Sequence, residues 1–326
     1  MPYAAPEPRI VRSVTLQFQG DWGFANLHRI CGWLSQEIVD RTGPFSRVGV
    51  WSGRGGLDSV QAVGRGLVDI ALAVPTAFVR MTLEGKGIAK GEAFPDLRAL
   101  GTMPQTDRLV VAVKADIGVR SFEELRRKAP KLRIAASPDD GVNTIGYATQ
   151  RLMEFAGLPR ATIEKWGGAY IERERPNQCV ALVQSGAADV VIHEAIMAGW
   201  WRDLANETNM SFLPAEDAVL GRMEREYFWP RASLPGGYLR GMNGTFETLD
   251  FSDFLVIARA DLPEDVAYLI AWCMCERREI IERAYSHIPP ERSPVTYPLV
   301  PAKIAKSPIP LHPGAERYYR DAKVIP

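Results

Sequence analysis

The stretch Trp51-Ser-Gly-Arg-Gly-Gly56 sets three glycines and an arginine between an apolar strand and a helix start. Such a loop lets backbone N–H groups approach a small molecule, and the helix start adds the positive end of its dipole, so an anion is the favoured guest. A nucleotide is not. A phosphate loop needs Gly-Lys-Ser/Thr, whose lysine and hydroxyl serve the phosphates and magnesium, whereas Gly56 is followed by Leu57-Asp58-Ser59. The dinucleotide spacing fails as well, because Asp58 stands at its third glycine, where an acid repels pyrophosphate. A carboxylate remains, held by the planar fork of Arg54. The alternative is a plain strand-turn-helix connection with a surface arginine.

Other residues in loops can join such a site. Asn143 and Thr144 stand at a helix start, where they either donate to a ligand or simply cap the helix. Asp21, Trp22 and Phe24 follow the first strand, Trp51 and Ser52 open the glycine loop, and Tyr238 closes a Pro-Gly-Gly turn. These aromatic rings either stack on a ligand or pack against their own lobe. His193 and Glu194, at a strand end, are the candidates for proton transfer, since histidine titrates near neutrality. No serine or cysteine nucleophile motif and no second histidine stands beside them in the chain. Asp139 and Asp140 are two acids alone, better read as an exposed turn than as a cation site. Neither a metal nor a cofactor is expected.

The elements that position these residues alternate. A strand from Val14 to Phe18 leads to a helix with Leu27, Ile30, Leu34 and Ile38 at helical spacing. Val48 to Trp51 is the next strand, followed by a helix from about Leu57 to Arg65 and a buried strand from Asp69 to Val74. This β-α-β-α-β run is the signature of a parallel sheet with helices on its faces. The apolar run Leu109 to Val113 starts the pattern again. Ser121 and Glu124 form a capping box, Leu132 to Ala136 is a strand, and a helix runs from about Ile145 to Ala156. Another helix, Asn177 to Gln184, leads into the strand Asp189 to His193. An amphipathic helix follows Leu262-Pro-Glu-Asp-Val266, ahead of a Pro-rich C-terminal segment. Ligands in open sheets of this kind bind at the carboxyl ends of the strands.

Bulk properties agree with a globular protein of two domains. The chain has 326 residues, 46% of them hydrophobic and 24% charged, with 39 basic and 39 acidic side chains. Zero net charge argues against a nucleic-acid footprint. Cys31, Cys179, Cys273 and Cys275 make no zinc spacing and read as buried thiols. No run is long and apolar enough for a membrane span. The first residues show no basic segment followed by an apolar one. That points to the cytoplasm for the chain as written, and to the periplasm if a signal segment precedes it and is removed.

Several stretches resemble the solute-receptor proteins of TRAP transporters, TAXI branch. "LDSVQAVGRGLVDIALAVPTAF" is similar to the family's "xNLxLLxxGxxDxALVQxD" segment. "LRALGTMPQTDRLVVAVKADIGVRSFEELRRK" looks like its crossover strand and following helix, and "SPDDGVNTIGYATQRLMEFAGL" like its second-lobe loop and helix. "LVQSGAADVVI", "VIARADLPEDVAYLIAWCMCE" and "PLHPGAERYYRD" match later segments in order. The resemblance implies a type II periplasmic binding protein-like α/β fold: two α/β lobes joined by a hinge, with a ligand cleft between them. Lobe I is then residues 9–112 plus 252–326, and lobe II residues 113–251.

It also implies a solute-binding function, a small organic acid as ligand and TRAP membrane subunits as partners. The ligand loops depart from the family. Gln19-Gly-Asp-Trp-Gly-Phe24 replaces a "TGSxGGTYY" loop, and Trp51–Gly56 a small "TxGS" loop. Asp140-Gly-Val-Asn-Thr144 replaces "GSGT", and Arg231–Tyr238 replaces "PAGTYPGQ". The family's usual ligands therefore do not carry over, and an aromatic or apolar face is expected. Two functions stay open: a binding protein for uptake or sensing, and a cytoplasmic enzyme on the same fold, for example a decarboxylase acting on a small organic acid. The lack of a complete catalytic constellation favours binding.

Overall fold

A computed structural model describes residues 4–21, 23 and 25–326. Trp22 and Phe24, two of the expected ligand residues, lie outside the described residues. The first part of the chain runs β1 (Thr15–Gln19), α1 (Asn26–Val39), β2 (Arg47–Trp51), α2 (Leu57–Gly64), β3 (Ile70–Ala73), α3 (Thr76–Leu83) and β4 (Leu97–Met103). The middle runs β5 (Arg108–Lys114), α4 (Phe122–Lys128), β6 (Arg133–Ala136), α5 (Thr144–Phe155), α6 (Arg160–Lys165), β7 (Ala169–Glu172) and α7 (Pro176–Gln184). It continues with β8 (Val190–His193), α8 (Gly199–Glu207), β9 (Met210–Phe212), α9 (Asp217–Tyr227), β10 (Arg231–Leu234) and β11 (Phe246–Asp250). The last part holds β12 (Phe254–Arg259), α10 (Glu264–Glu276), α11 (Arg278–Tyr285), α12 (Pro301–Ile304) and α13 (Pro313–Asp321).

Contacts divide the chain into two compact units. The first takes the residues up to Thr106 together with Ser252–Pro326, the second Asp107–Phe251. In the first unit the sheet order is β2-β1-β3-β12-β4. β1 pairs in parallel with β2 and β3, as the β-α-β-α-β pattern requires, and the returning β12 lies antiparallel between β3 and β4. Every residue of β3 is buried, which is why it reads as a continuous apolar run rather than an alternating one. α1 buries Leu27, Ile30, Cys31, Leu34 and Ile38, one stripe at helical spacing.

α10 departs from the expected amphipathic helix. Leu269, Ile270, Ala271, Trp272, Cys273, Met274 and Cys275 are all buried in succession, so the helix is covered on every side. Part of the cover comes from the Pro-rich C-terminal segment, which is not featureless: its α13 places the buried Tyr318 and Tyr319 in the same apolar core.

In the second unit the order is β10-β11-β5-β8-β6-β7, with β9 also pairing β5. β6 runs parallel to both β7 and β8, and β5 runs antiparallel to β8. The expected capping box at α4 is half formed. Ser121 Oγ accepts the Glu124 N–H at 3.1 Å, while the Glu124 carboxylate accepts from Arg120 N–H instead of returning to Ser121. The fold is mixed α/β with two sheets.

Candidate ligand-binding site

In the first unit the loops of interest follow the carboxyl ends of β1 and β2. Asp21 is 2% exposed, and its carboxylate accepts the N–H groups of Leu27 at 3.3 Å and His28 at 3.2 Å. Ala25 at the helix start has no capping side chain, so Asp21 supplies the acceptor that the first turn of α1 needs. Burial holds its pKa above the ordinary carboxylate value, against the pull of those N–H groups. The structure thus commits Asp21 to α1.

The glycine loop is organised in the same way. Asp58 Oδ2 accepts the Arg54 N–H at 2.7 Å and the Gln19 amide at 3.0 Å, and its Oδ1 accepts the Gly56 N–H at 3.1 Å. The loop N–H groups expected to meet an anion therefore meet one belonging to the protein. Gly53 N–H donates to the Asp21 carbonyl, and Val74 N–H to the Gly55 carbonyl. Two glycines are required by this packing. A Cβ on Gly53 falls 2.5 Å from the Gln19 amide nitrogen, and one on Gly55, at φ +77°, falls 2.8 Å from a Leu27 methyl. The loop is a rigid support, with Arg54 half-buried on it and Trp51 and Ser52 exposed at its rim. Trp51 is 58% exposed, and its ring N–H donates to Gln17 at 2.7 Å.

In the second unit the loops after β6, β7 and β8 come to one end of the sheet, because Ala136 pairs with both Glu172 and Ile192. His193, the last residue of β8, is fully buried. Its Nδ1 accepts the Glu194 N–H at 3.0 Å, so the proton of the neutral ring sits on Nε2 and points at Ser137 Oγ, 2.9 Å away. Ser137 in turn donates to the Glu174 carbonyl at 3.2 Å. Burial lowers the His193 pKa to about 3. A histidine–serine contact of this polarity gives no general base, since the ring donates to the hydroxyl rather than taking its proton.

Neither Ser137 nor Asp107 was singled out from the sequence. Parallel pairing of β6 with β8 puts Ser137 beside His193 across a separation of 56 residues. Asp107, also fully buried, accepts the N–H groups of Ala195 and Ile196 at 2.9 and 3.0 Å. It contacts the Glu194 carboxyl as well, and burial together with that neighbour raises Glu194 well above the ordinary value.

The remaining candidates divide. Asn143 caps α5, accepting the Gly146 N–H at 2.9 Å, and both Asn143 and Thr144 are buried at the His193 end of the sheet. Asp140 accepts the N–H groups of Val142 and Asn143, and Asp139 pairs with Arg151 at 3.4 Å, which makes this segment a turn. Among the described residues no group of three or more potential ligands can hold a metal ion. Tyr238 is not brought to His193. β11 reaches the start of β5 at Leu249, whereas the turn holding Tyr238 lies beyond Phe246, at the other end of that strand. There the ring packs partly buried against the core around Leu234 and Phe246.

Solved structures share this fold. PhnD1 of Prochlorococcus marinus, solved with methylphosphonate, is 12% identical with a TM-score of 0.53, covering 95% of this chain and 99% of that one. MatC of Rhodopseudomonas palustris, solved with malate, is 12% identical with a TM-score of 0.51 over 96% and 99%. A TctC solute-binding protein of Polaromonas is 11% identical with a TM-score of 0.50 over 96% of each chain. They place the two-sheet α/β architecture among the periplasmic binding protein-like folds.

A curated relative, the ATP phosphoribosyltransferase of Gemmatimonas aurantiaca, is 41% identical over 64 residues, 20% of this chain and 20% of its own. The chain thus spans about a fifth of that relative's length, too little to bring its activity across. The model of the NMT1-like family matches residues 32–322. The chain belongs to the NMT1-like family.

Proposed function

We propose that this protein is a solute receptor of the TRAP kind, TAXI branch, which captures a small carboxylate-bearing molecule and passes it to membrane subunits or reports its presence. The observation that carries the reading is the glycine loop of the first unit. Asp58, itself held by Gln19, fixes its backbone, so Arg54 stands on a support built by the protein's own side chains. The planar guanidinium fork suits a two-point pair with a carboxylate. The exposed Trp51 beside it offers an aromatic face for the rest of the ligand. Service to a transporter implies the periplasm, and the enzyme reading the cytoplasm; cell fractionation separates them.

A decarboxylase-like enzyme on the same fold has less support, because the Ser137–His193 contact runs with the ring as donor. The test is a thermal-shift screen over organic acids, aromatic acids and amino acids, with malate and methylphosphonate, the ligands of two similar structures, included. A ligand that binds the folded state alone raises its melting temperature. For the ligand found, Arg54→Ala is expected to weaken binding about ten- to a hundredfold, the loss of a charge-assisted pair worth roughly 1.5–3 kcal/mol. Arg54→Lys is expected to recover part of it. Unchanged affinity in Arg54→Ala, with the fold intact by circular dichroism, refutes the role given to the loop.

A further inference from the structure

Asp107 opens the second unit, and its buried carboxylate collects backbone donors. Arg108 N–H stands 2.6 Å from it, Ala195 N–H 2.9 Å and Ile196 N–H 3.0 Å. Ala195 has φ +62°, a left-handed backbone that a non-glycine residue adopts only under constraint. The two N–H groups that Asp107 holds belong to this residue and the next. Glu194 precedes it, with its side chain bonded to the same Asp107 carboxyl and its carbonyl accepting the ring N–H of the buried Trp201 at 2.9 Å.

Two carboxyl groups in hydrogen-bond contact away from water require a proton between them, because two carboxylates present only acceptors to each other. Three backbone N–H groups serve Asp107, those of Arg108, Ala195 and Ile196, against that of Ala195 alone for Glu194, which marks Asp107 as the ionised partner and Glu194 as the proton carrier.

We propose that Asp107 and Glu194 form a latch sharing one proton, which holds the turn between β8 and α8 in its left-handed conformation at neutral pH and releases it in alkali. Asp107 acts here as a positioning residue. The inference concerns the second unit alone and stands whether or not the chain proves to be a solute receptor.

The charged and titratable groups around the latch support it. His193 approaches Glu194 at 3.7 Å but is a neutral ring. Arg108, on β5, turns its guanidinium to the Asp107 carbonyl and to Asp250 on β11, at 3.0 Å. Glu174, in the loop after β7, reaches this end of the sheet through its carbonyl, which accepts from Ser137. Burial raises both members of the pair, Glu194 well above the ordinary value of 4.5. A carboxyl raised on folding binds its proton more tightly in the folded chain. Its contribution is complete below 4.5 and is lost as pH rises through the folded value.

Infrared spectroscopy and unfolding by urea test this on the whole chain. Glu194→Gln keeps an N–H donor toward Asp107 and has no proton to lose. The wild type is expected to show a protonated-carboxyl C=O band at neutral pH that is missing from Glu194→Gln. Its stability should fall on going from neutral to alkaline pH, while that of the variant falls less. An alkaline decline of equal size in both proteins, or a band of equal intensity in both, overturns the latch. Should the variant not fold, an infrared titration decides the matter in Asp21→Asn, which removes another carboxyl raised by burial. A band present at neutral pH and lost in alkali while the chain stays folded upholds the latch, and its absence at neutral pH overturns it.

Discussion

His193 is neutral in the folded chain because both ring nitrogens are engaged and no water reaches them. Its pKa of about 3 in the folded state, against 6.5 in an open chain, has a thermodynamic consequence. The unfolded chain takes up a proton that the folded chain refuses, so this contribution to stability is present above pH 6.5 and is lost as pH falls toward 3. The slope approaches about 1.4 kcal/mol per pH unit inside that window. His193→Gln, which can still accept and donate, is expected to flatten the acid limb of urea-unfolding stability relative to wild type. Equal slopes would mean that the ring ionises in the folded state. The sequence placed His193 at a strand end, and β8 ends there. It did not reveal Ser137, because strand register is a property of three dimensions that local periodicity does not encode.

At the scale of elements, two helix starts of the first unit meet carboxylates of the protein itself. Asp21 serves α1, and Asp58 serves the loop ahead of α2. Asp21→Ala is expected to lower stability by about 1–2 kcal/mol, the ordinary loss of a cap at a buried position, and Asp21→Asn by less. Urea unfolding of the two variants measures it; equal stability to wild type in Asp21→Ala would show that α1 does not depend on this cap. Gly55→Val is expected to destabilise the first unit whatever the ligand, since its φ of +77° and the Leu27 methyl at 2.8 Å both oppose a side chain. The loop is therefore better tested through Arg54. Apolar spacing made α2, α5 and α7 legible to within a residue or two of their ends. It misjudged α10 because periodicity shows which side chains are apolar and not what covers the opposite face. Tyr318 and Tyr319, more than forty positions along the chain, do that here.

For the molecule as a whole, the two units differ in how the chain builds them. β12 stands between β3 and β4 in the first sheet, so that sheet is incomplete until the last quarter of the chain arrives. All strands of the second sheet, β5 to β11, lie in the single stretch Asp107–Phe251. A fragment of residues 107–251 is expected to unfold cooperatively by itself in a circular-dichroism melt, as a segment of ordinary domain size with its own core does. A fragment ending at Phe251 is expected to keep that transition and lose the one belonging to the first unit. A fragment 107–251 without a cooperative transition would show that the second unit needs the rest of the chain.

All four cysteines are free and buried, and burial raises their pKa values, that of Cys179 to about 12. Thiolate is the reactive form, so the native protein is expected to be silent toward a thiol dye and to react only once unfolded. That silence turns the chain into a blank background for chemistry. A single cysteine at the exposed rim of the glycine loop, as in Ser52→Cys, would carry the dye alone, within a few residues of Arg54. On the proposed function, a ligand pairing with Arg54 is then expected to change the emission of that one dye, and unchanged emission with every acid tried would count against a site at this loop.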